Sequence, residues 1–102
     1  MDGTESTWSY LMSGEAFQAF VGVDVVVDTT SSYVFIGRLK EVTALAMTLS
    51  EVDVHDRAET SSTKERYIME AKKFGIKSNR KAVTVRLETV LCVSKLEDVI
   101  EY

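Results

Sequence analysis

Val83-Thr84-Val85-Arg86-Leu87-Glu88-Thr89-Val90-Leu91-Cys92-Val93 reads as two short strands hinged at Glu88-Thr89, with Arg86 turned away from the apolar residues around it. β-Branched residues fill both arms, as a pleated and half-buried surface requires. Val90-Leu91-Cys92-Val93 is apolar at both parities. Side chains alternate between the faces of a strand, so such a run fits one face on a core and an edge paired with another chain.

Upstream, Phe35-Ile36-Gly37-Arg38-Leu39 belongs to a longer strand. Tyr33, Phe35, Gly37 and Leu39 share one face, whereas Val34, Ile36, Arg38 and Lys40 share the other, which begins apolar and ends basic. Before it, Val23, Val25 and Val27 alternate with Asp24, Val26 and Asp28, and Thr29-Thr30-Ser31-Ser32 makes the turn. After it, Leu45, Met47 and Leu49 hold one parity and Val52 and Val54 the other, which predicts a bulge or break near Ser50-Glu51. Bulges of this kind bend sheets, so the pattern is that of a small five-stranded barrel, mainly β.

Two segments depart from the strand period. Ser13 as a cap, with Phe17, Phe20 and Val21 as a stripe, predicts a short N-terminal helix ended by Gly22. Residues 56–81 are too long for a hairpin turn. Ser62 with Glu65 forms a capping box, Tyr67, Ala71 and Phe74 a stripe, and Gly75 stands where an αL cap belongs, so a helix is expected over residues 63–74. The competing reading is a two-stranded extension of the barrel, because Tyr67-Ile68-Met69 also tolerates strand.

The length of 102 residues and a 45% apolar content leave room for one core, so residues 13–102 form a single domain behind a flexible tail over residues 1–12. A chain this short gains stability by oligomerising. No apolar run approaches a membrane span and the N-terminus lacks a signal core, which predicts a soluble, cytoplasmic protein without membrane contact. Between Lys64 and Arg86 eight basic residues face Glu65 and Glu70, a net +6, leaving −10 for the rest of a chain whose total is −4. That balance argues against indiscriminate DNA coating and allows a focused anionic partner or an acidic neighbouring subunit.

The order of short helix, five strands and an insertion before the fourth strand resembles the Sm/LSm family, over residues 14–96. Gly22 with the alternating valines is similar to that family's first strand, Gly37-x-Leu39 to its first motif, and Val85-Arg86 with Val90 and Val93 to its second. The resemblance implies an Sm-like, SH3-type barrel that assembles into a homo-oligomeric ring and binds RNA. It also implies where this chain diverges. The family's base pocket uses an Asp, an Asn and a stacking side chain in the loop after the second strand, and here that loop reads Thr43-Ala44-Leu45-Ala46-Met47. Leu87 stands where the family has Gly after its Arg, so Arg86 alone remains of the pocket. Losing the amide bonds and the stacking, about 1–3 kcal/mol for each stacked base, removes the basis for uridine selectivity.

The stretch that looks built for anions is Lys72-Lys73-Phe74-Gly75-Ile76-Lys77-Ser78-Asn79-Arg80-Lys81. Lys72, Lys73, Lys77, Asn79, Arg80 and Lys81, with Arg86, are the candidate RNA contacts, and Val90, Leu91, Cys92 and Val93 the candidate oligomer interface. The bland readings of the basic segment are a solvated face or a clamp on the next subunit's acids.

Nothing in the sequence calls for catalysis, a metal or a cofactor. Asp24 and Asp28 share a strand face but stand about 13 Å apart, beyond the span of paired-carboxylate chemistry, and read as solvated or intersubunit charges. His55 beside Asp53 and Asp56 is the sole histidine, read as an exposed strand-end residue. Cys92 is the sole cysteine, with buried packing as its default role. Core packing is likewise the default for Phe17, Phe20, Tyr33, Phe35 and Phe74. The expected function is a non-catalytic ring that binds RNA weakly. Its alternative is a homo-oligomeric scaffold whose basic segment serves subunit contacts.

Overall fold

The computed structural model describes residues 14–59 and 63–100. The expected tail over residues 1–12, the Ser13 cap and the Ser62 half of the capping box lie outside the described residues. Strands β1 (Asp24–Thr29), β2 (Tyr33–Val42), β3 (Ala46–Asp56), β4 (Arg80–Arg86) and β5 (Val90–Lys95) form one sheet in the order β4-β3-β2-β1-β5, with helix α1 (Lys64–Phe74) between β3 and β4. All neighbours run antiparallel. Among the described residues β4 and β5 do not pair with each other, so the sheet is a strongly bent, open barrel with an edge at each end.

The bend comes from irregular register. Ile36 faces Asp53 and Arg38 faces Ser50, so Gly37 alone opposes both Glu51 and Val52. This is the break required by the parity change after Leu49. Glu51 absorbs the extra residue with φ +49. Gly37 is needed opposite it: a Cβ there would lie 3.1 Å from the Ser50 carbonyl oxygen and 3.2 Å from Val52 Cα, both backbone atoms. A left-handed backbone costs an ordinary residue about 1 kcal/mol. Glu51→Gly is therefore expected to raise stability by about 0.5–1 kcal/mol, read as a higher urea midpoint. An unchanged midpoint would mean that the bulge is not strained.

The inward face buries Val25, Val27, Leu39, Met47, Leu49 and Val52 completely, with Val42 and Val85 nearly so. Phe17, Phe20 and Phe35 pack against this cluster, Phe20 from a 3₁₀ turn (Gln18–Phe20). The outward face carries a second cluster, in which Val26, Val34 and Ile36 of the sheet meet Ile68 and Ala71 of α1 and Leu96 beyond β5. Val25, Val26 and Val27 are consecutive and all buried because β1 is covered on both sides.

Helix α1 settles the competing reading of the insertion. Thr63 is its N-cap, accepting from the Arg66 N–H at 3.2 Å, with Glu65 in the first turn and Lys72 and Lys73 in the last, as the helix dipole favours. Gly75 ends it by donating to the Ala71 carbonyl, but its φ of 91 and ψ of 162 lie outside the αL region expected there. The buried face is centred on Ile68 and Ala71 with Tyr67 at its flank, and Phe74, expected in the stripe, is 75% exposed. The reason is that the helix must meet Val26, Val34 and Ile36, and Phe74 falls off that face in the last turn.

Other expectations change as well: Tyr33, expected in the core, is 43% exposed at the start of β2, and two more change for local reasons. In β5, Cys92 pairs with Asp28 and Val90 with Thr29, which leaves Leu91 as an extra residue. That bulge turns Val90 and Val93 together onto the core and pushes Leu91 out, 64% exposed. Cys92, expected to be buried, is exposed on the outward face, where its thiol donates to Asp28 Oδ2 at 3.4 Å. Partial desolvation and the Asp28 carboxylate push the thiol above its usual range. His55, expected to be exposed, is stacked on Tyr67 with ring centroids 3.7 Å apart, because α1 lies over the end of β3.

Candidate nucleic-acid interface

The basic residues divide into two places. Arg86 ends β4 opposite Ala46, and the Leu87 N–H donates to the Leu45 carbonyl at 2.9 Å, so the β4–β5 turn is fastened to the β2–β3 loop. That loop is a tight turn, in which Thr43 Oγ1 accepts from the Ala46 N–H at 3.1 Å and the Thr43 N–H donates to the Ala46 carbonyl. What it offers a ligand is the Leu45 side chain, 68% exposed, and no side-chain amide or carboxylate. The Arg86 guanidinium is paired with Glu88 across the turn.

The second place runs from the end of α1 to the start of β4, about 20 Å from Arg86 along the strand. Lys73, Lys77 and Lys81 are exposed here. Among the described residues none of the three makes an ion pair or a side-chain hydrogen bond, whereas Arg38 is spent on Asp24, Lys64 on Asp28 and Arg66 on Glu70. Asp24 and Asp28, read from sequence as solvated or intersubunit charges, thus serve ion pairs within the chain. Lys72 points elsewhere: its ammonium donates to the Val99 carbonyl and borders a cleft of about 420 Å³ with Asp24, Arg38 and Glu97.

Arg80 keeps most of its donors free, with Nη1 on the Asn79 carbonyl at 2.9 Å. Asn79 has a structural task. Its amide oxygen takes the Val54 N–H at 3.0 Å and its NH₂ donates to the Val54 carbonyl and Asp53, which extends the β3–β4 ladder past Val52. The structure thus gathers Lys73, Lys77, Arg80 and Lys81 along one stretch, turns Lys72 and Asn79 to internal partners, and sets Arg86 apart. The pairing of Arg38 with Asp24 and of Lys64 with Asp28 was not readable from the sequence, because those acids are distant along the chain, whereas the Arg66–Glu70 and Arg86–Glu88 pairs are local.

His55 and Asp53 are half-buried. The imidazole Nε2 is shielded from solvent beneath α1. Among the described residues no three His, Cys, Asp or Glu side chains converge as a metal site. No helix among them is long and apolar enough to cross a membrane.

An open sheet in the order β4-β3-β2-β1-β5, a helical entry and an insertion between β3 and β4 can be compared with solved structures. The chain matches the Sm protein of Pyrococcus abyssii, solved in complex with a uridine heptamer, with a TM-score of 0.55 and 17% identity over 79% of this chain and 93% of that one. The fold is Sm-like. No protein-family model matches the sequence, and no curated protein matches it significantly. At this identity the likeness concerns the fold, and the base-binding residues have to be judged from this chain alone.

Proposed function

We propose that the protein is a non-catalytic, ring-forming Sm-like protein that binds single-stranded RNA through its basic stretch, with little preference among bases. The observation that carries the reading is that the exposed lysines Lys73, Lys77 and Lys81, without ion pairs among the described residues, fall together in one stretch, whereas the other lysines without ion-pair or side-chain partners, Lys40 and Lys95, stand apart from it on β2 and β5. Clustered cations raise the local positive potential and steer an anion to that surface even on a chain of net negative charge. Arg80 extends the stretch, and Arg86 adds a weaker contact, since it must leave Glu88 first. The open edges of β4 and β5 supply the subunit contacts, with Val90, Leu91, Cys92 and Val93 on the β5 side. The bare Thr43-Ala44-Leu45 turn supports the lack of base preference.

A scaffold without RNA is the second reading, favoured by the Arg86–Glu88 pair and by Leu45 standing where a base-binding pocket would need amides. The triple variant Lys73→Gln, Lys77→Gln, Lys81→Gln separates the two. If the lysines meet phosphates, affinity for a labelled single-stranded RNA falls about ten- to a hundredfold at 0.1 M salt, and the slope of log K against log salt drops by about 2. The native mass stays unchanged. Undiminished RNA binding would show that the lysines do not meet RNA, and a ring that dissociates would show that they serve subunit contacts.

A further inference from the structure

We propose that Phe74 is a stacking platform for an unpaired nucleobase, with Lys73 and Lys77 on either side to hold the flanking phosphates. This deepens the RNA-binding reading and rests on it.

Phe74 is a large apolar side chain, 75% exposed, in the middle of the most basic stretch of the chain. Exposed aromatic surface of this size is the informative exception on a soluble domain. It is not left over from helix packing, because α1 already buries Ile68 and Ala71 against the sheet. The next residue keeps the ring uncovered. Gly75, with φ +91, turns the chain away, and even a Cβ built there would meet nothing within 4 Å.

Phe74 and Lys77 border one shallow cleft of about 70 Å³, together with Asp53, Tyr67 and Glu70. That volume is too small for a base to enter, so a base would lie on the ring. Of the acids in the cleft, Glu70 is paired with Arg66 at 3.4 Å, and Asp53 accepts from the Asn79 amide at 3.2 Å and keeps its charge. Lys73 and Lys77 make no ion pair or side-chain hydrogen bond among the described residues, so their ammonium groups are available to phosphates. An aromatic face between free cations is the arrangement that holds single strands without reading sequence, because every base offers a π-face. A protein partner would more often be met by an apolar patch, and Phe74 is ringed by charge.

The test compares Phe74→Ala, Phe74→Leu and Phe74→Tyr in the full chain at one salt concentration. Three probes are used: a labelled adenosine oligomer, a labelled uridine oligomer, and heparin, a polyanion without bases. Stacking predicts that Ala and Leu weaken adenosine-oligomer binding about tenfold, with a smaller loss for uridine, while Tyr retains affinity and heparin binding is unchanged by all three. Light scattering should give the same native mass for every variant. Equal losses for heparin, full affinity for RNA in the Leu variant, or a changed mass would each overturn the assignment. If the unmodified protein binds heparin but neither oligomer, the RNA reading itself falls. If the oligomers bind and respond to the triple lysine variant but not to Phe74, only the stacking assignment falls.

Discussion

Ile36→Ala is expected to destabilise the protein by about 2–5 kcal/mol, although Ile36 points away from the barrel interior. Ile36 is fully buried. Its side chain sits with Val26 and Val34 under Ile68 and Ala71, so truncation leaves a cavity between sheet and helix that neither can close without moving. The size of the loss discriminates between architectures. Were the insertion a strand extension or a solvated excursion, Ile36 would stand on an open outer face and its truncation would cost less than about 1 kcal/mol. Urea unfolding of Ile36→Ala beside Leu49→Ala, which empties the inward core, measures both faces on one scale. A large loss for Leu49 and a small one for Ile36 would mean that α1 does not cover the sheet. Similar losses at an unchanged m-value would establish two sealed faces in one cooperative unit.

The strands were legible in the sequence because alternation leaves no freedom about which face is buried. The bulge opposite Gly37 was legible for the same reason, since Leu49 and Val52 cannot both face the core without an inserted residue. The bulge at Leu91 was not. Val90-Leu91-Cys92-Val93 is apolar at both parities, so no conflict marks the slip, and only pairing with Asp28 and Thr29 reveals it. The existence of α1 could be read from its period, but its N-cap, which is Thr63 and not Ser62, and its orientation could not. Tyr67, Ile68, Ala71 and Phe74 spread apolar surface over more than one face, and the apolar patch on β1 and β2 decides which part is buried. That is why the period alone assigns Phe74 to the core stripe. The cations were visible as residue types, yet which of them remain free depends in part on Asp24 and Asp28, which the fold brings to Arg38 and Lys64.

Leu91→Asp is expected to convert a ring into single chains of 11.4 kDa while leaving each chain folded. Leu91 is 64% exposed on an edge strand, so the monomer gains little from it and should lose at most about 0.5 kcal/mol of stability. In a ring built on the β4 and β5 edges the same side chain meets the neighbouring subunit. Burying a leucine there contributes about 1.5–3 kcal/mol, and a carboxylate in its place has to be desolvated. A closed ring repeats every contact, so each subunit feels the change at both of its edges. On the proposed reading, RNA binding is expected to follow assembly. Each chain presents only a few free cations, and linking them around a ring raises overall affinity by about 10²–10⁴ without any new contact. Dissociation should therefore cost more RNA affinity than loss of the lysines on any single chain, even though Leu91 touches no phosphate. Light scattering after size exclusion, paired with RNA titration, tests both steps. A folded variant that keeps the native mass would remove Leu91 from the interface, and a folded monomer that binds RNA as tightly as before would show that the ring adds nothing to recognition.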